Sequence, residues 1–291
     1  MRPIAVLSAG ALTALGPSAA LAQDIAWFEG DKLVLTNGVS TIEGASGGGI
    51  ATWATIAGRE LDDGIGAAAH VTIVELPDFR WQSHGVAIGI GNRVELSYTR
   101  QNVDTRDVGA ALGLGRGYTL NQDVYGAKVR LFGDAIYGDP LVPQVSVGVQ
   151  HKRNLDGPVA FAVGAADNIG TDFTVSATKL FLSHSVLVST TLRLTEGNEN
   201  GLLGFGSAAG NGPAVQFEGS VAYQLSRRAV VGAEFRTKPD NLGLGEDDWF
   251  DLFAAYAVTE NVTVTAAYAD LGTIATFDGQ RGAFLSAQLA F

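Results

Sequence analysis

Cysteine is absent from this chain and methionine occurs once, so no disulfide framework or thiolate metal site contributes to its fold. After the first 22 residues there is no run of about 18 consecutive apolar residues, which excludes a helical membrane protein. Charge is sparse and lopsided: 30 Asp and Glu stand against 19 Lys and Arg, a formal net charge of −11. That balance argues against a nucleic-acid partner. Proline is scarce at 8 residues, whereas glycine reaches 38 and hydrophobic residues 46%. So much apolar residue without a spanning helix points toward strands.

The N-terminus has the order of a secretory leader. Arg2 supplies the positive region, Ile4 to Leu15 an apolar stretch, and Ala20-Leu21-Ala22 a small-residue cleavage site. The expectation is a signal peptide over residues 1–22, cleaved after Ala22, and a single domain over 23–291. An exported chain without cysteine needs another source of stability, and a closed hydrogen-bonded barrel provides one.

Most of the remaining sequence alternates with a period of two. Val94, Leu96 and Tyr98 fall on one face and Arg93, Glu95, Ser97 and Thr99 on the other. The same pattern recurs in Tyr125 to Leu131, Gln144 to Gln150, Phe217 to Gln224, Val231 to Arg236 and Val262 to Tyr268. Alternation alone fits a soluble barrel or a membrane barrel. Connection lengths separate the two. Short turns near Gly91-Asn92, Ser183-His184, Ser226-Arg227 and Thr259-Glu260 alternate with longer links near 101–123, 153–171, 195–213, 239–247 and 270–281, the organisation of an outer-membrane barrel. The fold expected is therefore all-β, a closed antiparallel transmembrane β-barrel of about 14 strands, with 12 as the other even count. Segments 33–42, 50–58 and 66–76 are the first of the 14 candidate strands. The last segment alternates to a terminal aromatic, Phe291, which resembles the signal read by the barrel-assembly machinery.

Several blocks extend this reading: LVLTNGVSTIEGASGGG (33–49), DVGAALGLGRGYTLNQDVYGAKVRLFGDAIY (107–137), GTDFTVSATKLFL (170–182), LLGFG (202–206) and the long block 231–276. Together they resemble a proteobacterial family of uncharacterised outer-membrane β-barrel proteins, classed as a domain of unknown function. The resemblance implies fold and location in a Gram-negative outer membrane; it brings no substrate, cofactor or catalytic residue.

Chemistry-bearing motifs are weak. Gly113-Leu114-Gly115-Arg116-Gly117 lacks the Gly-Lys-Ser/Thr and the strand–loop–helix setting of a phosphate loop, and Asp107 is a candidate cap for a short helical turn. His70, His84, His151 and His184 show no metal-ligand spacing. Ser183-His184-Ser185 invites a hydrolase reading, against which strand alternation predicts opposite faces for neighbours. Glu246, Asp247, Asp248 and Asp251 form the densest acidic group, read mainly as a solvated loop tip. Gly47-Gly48-Gly49 reads as a hinge or close-approach turn. No cofactor, metal or catalytic residue is expected.

The most informative charges share the polar faces of the strands: Arg93, Lys128, Arg130, Arg193 and Arg236 against Glu95, Glu218, Glu234 and Asp251. Facing lipid near the midplane, each Arg or Lys would cost roughly 2–4 kcal/mol, so all nine are assigned to the lumen. Two functions follow. One is a porin-like passive channel for small solutes; the other is a filled structural or binding barrel without a conducting pore. Membrane lipids, lipopolysaccharide and the assembly machinery are the expected partners.

Overall fold

The computed structural model describes residues 26–27, 32–210 and 212–291; the leader assigned to residues 1–22 lies outside them. Twelve antiparallel strands follow one another around the wall: β1 (Gly64–Glu75), β2 (Arg80–Ile90), β3 (Val94–Asp104), β4 (Thr119–Phe132), β5 (Gln144–Asn154), β6 (Ile169–Phe181), β7 (Val186–Thr195), β8 (Ala214–Ser226), β9 (Ala229–Arg236), β10 (Trp249–Ala257), β11 (Val262–Asp270) and β12 (Arg281–Ala290). Each pairs with its sequence neighbour, and β12 pairs with β1 through Ala283↔Glu75 to Ala290↔Ala68, which closes the barrel. Closure satisfies every strand edge, the condition for β-structure in lipid. Among the described residues no helix is long and apolar enough to cross a membrane.

Twelve is the smaller of the two expected counts. The difference comes from segments 33–42 and 50–58, which are not wall strands. Residues 36–57 are buried throughout and contain a two-residue ladder, Val39–Ser40 against Ser46–Gly47, and a single bridge, Gly47 to Thr52. This stretch is an inset that occupies the lumen. Both its ends lie at one mouth of the barrel, where the Lys32 N–H donates to Arg59 O at 3.4 Å.

Alternation assigns the two faces of the wall. Large apolar side chains such as Val71, Leu96, Tyr125, Phe173, Val221 and Leu252 point outward and are exposed. Glu95, Gln101, Thr178, Arg193, Glu218 and Glu234 point inward and are buried. A continuous exposed apolar belt around a polar interior is a membrane barrel's arrangement, the reverse of a soluble one.

The inset and the turns at Gly91–Arg93, 182–185, 227–228 and 258–261 share one end of the barrel. Three longer loops, 105–118, 155–168 and 196–213, and the shorter 237–248 and 271–280 cross the other. Two connections break the expected alternation: the β1–β2 turn at 76–79 is short on the long-loop side, and residues 133–143 form a longer link on the short-turn side. The 105–118 loop carries a short helix, α1 (Arg106–Ala111), whose Val108 joins the apolar cluster under the loops. Asp107 does not cap it; Thr105 holds the cap position without a side-chain bond, and Asp107 pairs with Arg116 at 2.7 Å. A second short helix, α2 (Gly157–Ala162), sits in the next outer loop.

Phe291 completes the seam between β12 and β1. Its N–H donates to Ala67 O at 2.8 Å, and its carbonyl accepts from Arg59 at 2.8 Å and Ala67 at 3.1 Å. Removing Phe291 therefore deletes three backbone hydrogen bonds at the closure, a loss on the order of 2–3 kcal/mol at about 1 kcal/mol each. The expected result is a reduced membrane yield together with a lower temperature for the heat-modifiable mobility shift of what assembles. Equal yield and an unchanged transition would remove any role for this residue in assembly or closure.

Candidate functional site

An irregular segment in a closed lumen needs partners for its own N–H and C=O groups, because it cannot form a ladder with the wall. The inward face of the strands provides them. Glu234 Oε2 accepts the N–H groups of Ile50 and Ala51 at 2.9 and 3.3 Å, and Glu218 Oε2 accepts that of Thr52 at 2.7 Å. Thr178 Oγ1 accepts the Ala54 N–H at 2.8 Å. On the opposite wall the two Glu95 oxygens accept from Ser46 and Ala57, while Lys128 donates to Ser46 O and Thr55 O. Polar strand faces thus act as a mould for a segment of small residues. Gly48 passes so close to the Glu234 carboxylate that a Cβ there would collide with it.

At the tip of the inset lies Glu43, fully buried. One carboxylate oxygen pairs with Lys152 Nζ; the other lies 3.1 Å from Arg193 Nη2 and 2.7 Å from Arg236 Nη1. Asp172 bonds Lys152 at 2.8 Å and Arg193 at 2.9 Å, and Glu218 bonds Arg193 Nε at 2.5 Å. Three cations meet three carboxylates in a network without net charge. Burial would raise the Glu43 carboxyl, but Arg193, Arg236 and Lys152 together hold it well below the usual range.

From the long-loop side the 196–213 loop descends to meet the inset. Asn200 Oδ1 accepts from both Lys152 and Arg236 at 2.8 Å, so the wall cations bind the two plugging segments at once. Above them Trp81 and Trp249 pack edge to face, centroids 5.5 Å apart, among Ile42, Leu202 and Phe284. Lys238 Nζ lies 2.8 Å from both Glu199 and Glu246 and over the Trp249 ring. Beside Glu95 and Lys128 the remaining void is about 10 Å³, no more than one water needs. At this level the lumen is occupied by the buried inset. Toward the short turns it widens into a cavity of about 520 Å³ lined by Lys32, Asn37, Ile56, Asp62, Asp134 and Tyr137, among others.

Of the nine charges assigned to the lumen, seven lie buried inside: Glu95, Lys128, Arg193, Glu218, Glu234, Arg236 and Asp251. Arg130 sits at the rim, bonding Gly133 O and Asp134. Arg93 is a correction. It is exposed in the Gly91–Arg93 turn, one residue before β3, where alternation no longer governs its direction. Asp251 belongs to the wall, opposite Glu234 in register, and so is not part of a loop cluster with Glu246, Asp247 and Asp248. Glu43, Lys152 and Asp172 complete the network and were missed. Parity places Lys152 with Gln150 and Asp172 with Thr174; Glu43 is signalled only by being the one charge in a Gly/Ser/Thr-rich run.

The histidines scatter. His70 is buried in the lumen with Nε2 3.1 Å from Ser83 Oγ, and His84 and His151 face outward. Ser183 Oγ and His184 Nδ1 are 2.9 Å apart, contrary to the expected opposite faces, because both lie in a turn and not in a strand. Among the described residues no group of three or more His, Cys, Asp or Glu side chains could hold a metal.

At the short-turn mouth Lys32 Nζ reaches Glu60 Oε1 at 3.3 Å and Ile56 O at 3.1 Å. The Glu60 side chain is fully buried, Oε2 has no hydrogen-bond partner among the described residues, and burial pushes the carboxyl up to about 7 against the pull of Lys32. A raised folded-state value favours the neutral acid. Its contribution is complete below about 4.5, the ordinary value, and is lost as pH rises through about 7. Amide exchange of Ile56–Gly58, corrected for intrinsic rates, is expected to speed up across that window, and Glu60→Gln to abolish the dependence. A wild-type profile already flat would sink this assignment.

No curated protein matches the chain by sequence. Among solved structures it is similar to the KdgM porin, with 10% identity, TM-score 0.51, and coverage of 77% of this chain and 99% of that one. The NanC porin is similar at 10% identity and TM-score 0.49, over 77% of this chain and 98% of that one. An outer membrane phospholipase A from Escherichia coli follows at 9% and 0.41, over 77% and 92%. At 10% identity the likeness to the KdgM porin shows the barrel fold alone. A family model matches residues 36–288, spanning the inset and nearly the whole wall, and the chain belongs to that family, described as Protein of unknown function (DUF3034).

Proposed function

We propose that this protein is a porin-like barrel of the outer membrane whose passage for small solutes is closed by its own inset. The observation that carries this reading is the way the lumen is filled. Inset and wall are joined largely by hydrogen bonds and ion pairs to polar faces that water can solvate once the inset leaves. Because the inset enters and leaves by the same mouth, it can withdraw without unthreading. A permanently filled barrel has no need of a wettable inner face, since apolar packing would hold a plug without the desolvation of six charges.

Planar-bilayer recording of the refolded full chain tests this. The expected trace is a closed baseline with brief openings; a folded, inserted barrel that never conducts under any voltage or pH favours the filled, structural reading. Export by a leader cleaved after Ala22 is part of the proposal, motivated by the small-residue site that follows the apolar stretch. Intact-mass measurement of membrane-extracted protein should find Gln23 first, and a species retaining Arg2 would refute it.

A further inference from the structure

The outward face is apolar on most strands but not on β2–β5. There the ladder places His84, Arg100, Asp123 and Arg153 in a single cross-strand row. The next row toward the short turns is Val86, Tyr98, Tyr125 and His151, and the one beyond it is Ile88, Leu96, Ala127 and Val149. On the long-loop side of the charged row stand Gln82, Asn102 and Asn121. The charges therefore mark the boundary where the apolar belt ends, beneath the long loops and just above a Tyr98–Tyr125 pair with rings 5.2 Å apart. Outward residues near the long-loop ends of β7–β10 are Leu194, Val215, Phe217, Phe235 and Phe250. Charges on the outward side of β1, β11 and β12, namely Glu75, Asp270 and Arg281, stand at the long-loop strand ends and are paired, Glu75 with Arg80 and Asp270 with Arg281.

Asp123 is spoken for. It accepts from Arg100 Nε at 2.6 Å and Nη2 at 3.1 Å, and from Tyr98 Oη at 2.8 Å. This fixes the Arg100 guanidinium and leaves its Nη1 without a partner among the described residues. Arg153, Asp123's register partner on the other side, is exposed and makes no side-chain hydrogen bond or ion pair among the described residues. Two guanidiniums with free donors thus flank one neutralised carboxylate at the long-loop edge of the apolar belt, with His84 alongside. Guanidinium forks match phosphate oxygens in geometry and charge.

We infer that this row binds a phosphate of an outer-leaflet lipid, the phosphorylated glucosamine headgroup of lipopolysaccharide, with Arg153 and Arg100 as donors and Asp123 as a positioning residue. The inference rests on the outer-membrane reading, which places the long loops outside. The test titrates refolded full chain in detergent with diphosphorylated lipid A and, separately, with the same lipid dephosphorylated, and follows retention by native mass spectrometry. Wild type should retain the phosphorylated lipid at least about tenfold better, roughly one good charge-assisted contact. Arg100→Gln with Arg153→Gln should remove that preference, while Arg116→Gln, in an exposed loop, should keep it. Heat-modifiable mobility of each variant shows that the barrel is intact. Equal retention of both lipids by wild type, or a preference that survives the double substitution, overturns the site. Displacement by millimolar inorganic phosphate points to a free anion and overturns the lipid assignment. Failure of the wild type to insert into vesicles as a heat-modifiable barrel would instead strike the membrane reading itself.

Discussion

Glu43→Gln is expected to loosen the inset more than any other single substitution, by about 3–5 kcal/mol, the usual cost of removing one partner from a buried ionic group. The side chain keeps its size and one acceptor oxygen, so packing is nearly conserved. What changes is charge. Lys152, Arg193 and Arg236 would remain fully buried with only Asp172 and Glu218 to neutralise them. The cheapest relief is hydration, which requires the tip of the inset to move away and admit water. Hydrogen exchange of residues 40–57 should accelerate by two orders of magnitude or more for about 3 kcal/mol, whereas amides of β7 and β8 keep their protection. In bilayers the variant should open more often than wild type. Unchanged exchange in the inset would mean that its backbone contacts to Glu95, Glu218 and Glu234 hold it without Glu43, and the network would lose its role as the latch.

Much of the wall was legible because a membrane barrel leaves a period of two in every strand. Val221 and Tyr223 outward, Glu218 and Ser220 inward, follows from spacing alone. The inset was not legible for a related reason. Segments 33–42 and 50–58 contain enough Val, Ile, Trp and Thr to pass for strands, but alternation reports two different environments, and a segment surrounded by wall has one. Trp53 and Thr52 are both buried: Thr52 binds Glu218 and Arg193 while Trp53 donates to Ser220 Oγ at 2.8 Å. Composition held a better clue. Gly44 at φ +88 beside the Thr99 side chain is a backbone packed against the wall, and Gly, Ser and Thr around a solitary Glu suit a lumen better than a lipid belt. The inward charges were found as a class, yet their purpose could not be, since what Glu218, Glu234 and Glu95 bind on the inset is backbone, which carries no sequence signature.

Removal of Thr36–Gly58, with a two-glycine link between Leu35 and Arg59, should convert the closed barrel into a steadily conducting one. The mouth permits this because Lys32 and Arg59 are already hydrogen-bonded backbone to backbone, so the deletion closes over a short gap. All twelve strands and the β12–β1 seam remain, and the polar inner face gains water in place of inset amides. The wall then presents Lys128, Lys152, Arg193 and Arg236 against Glu95, Asp172, Glu218, Glu234 and Asp251, an excess of one carboxylate. A weak cation preference is expected with every group ionised, fading as salt is raised from about 0.1 M to 1 M and the screening length falls from about 10 to 3 Å. Conductance should stay below that of 16-stranded porins, because a twelve-stranded ring is narrower and the 196–213 loop still enters it. The current carries the argument: a heat-modifiable, inserted deletion barrel that passes none would show that the outer loop and the Trp81–Trp249 cluster seal the lumen by themselves, and the inset would not be the closure. If the shortened chain fails to assemble, Glu43→Gln asks the same question with the whole chain in place, since a latch that no longer holds should leave the same wall open for part of the time.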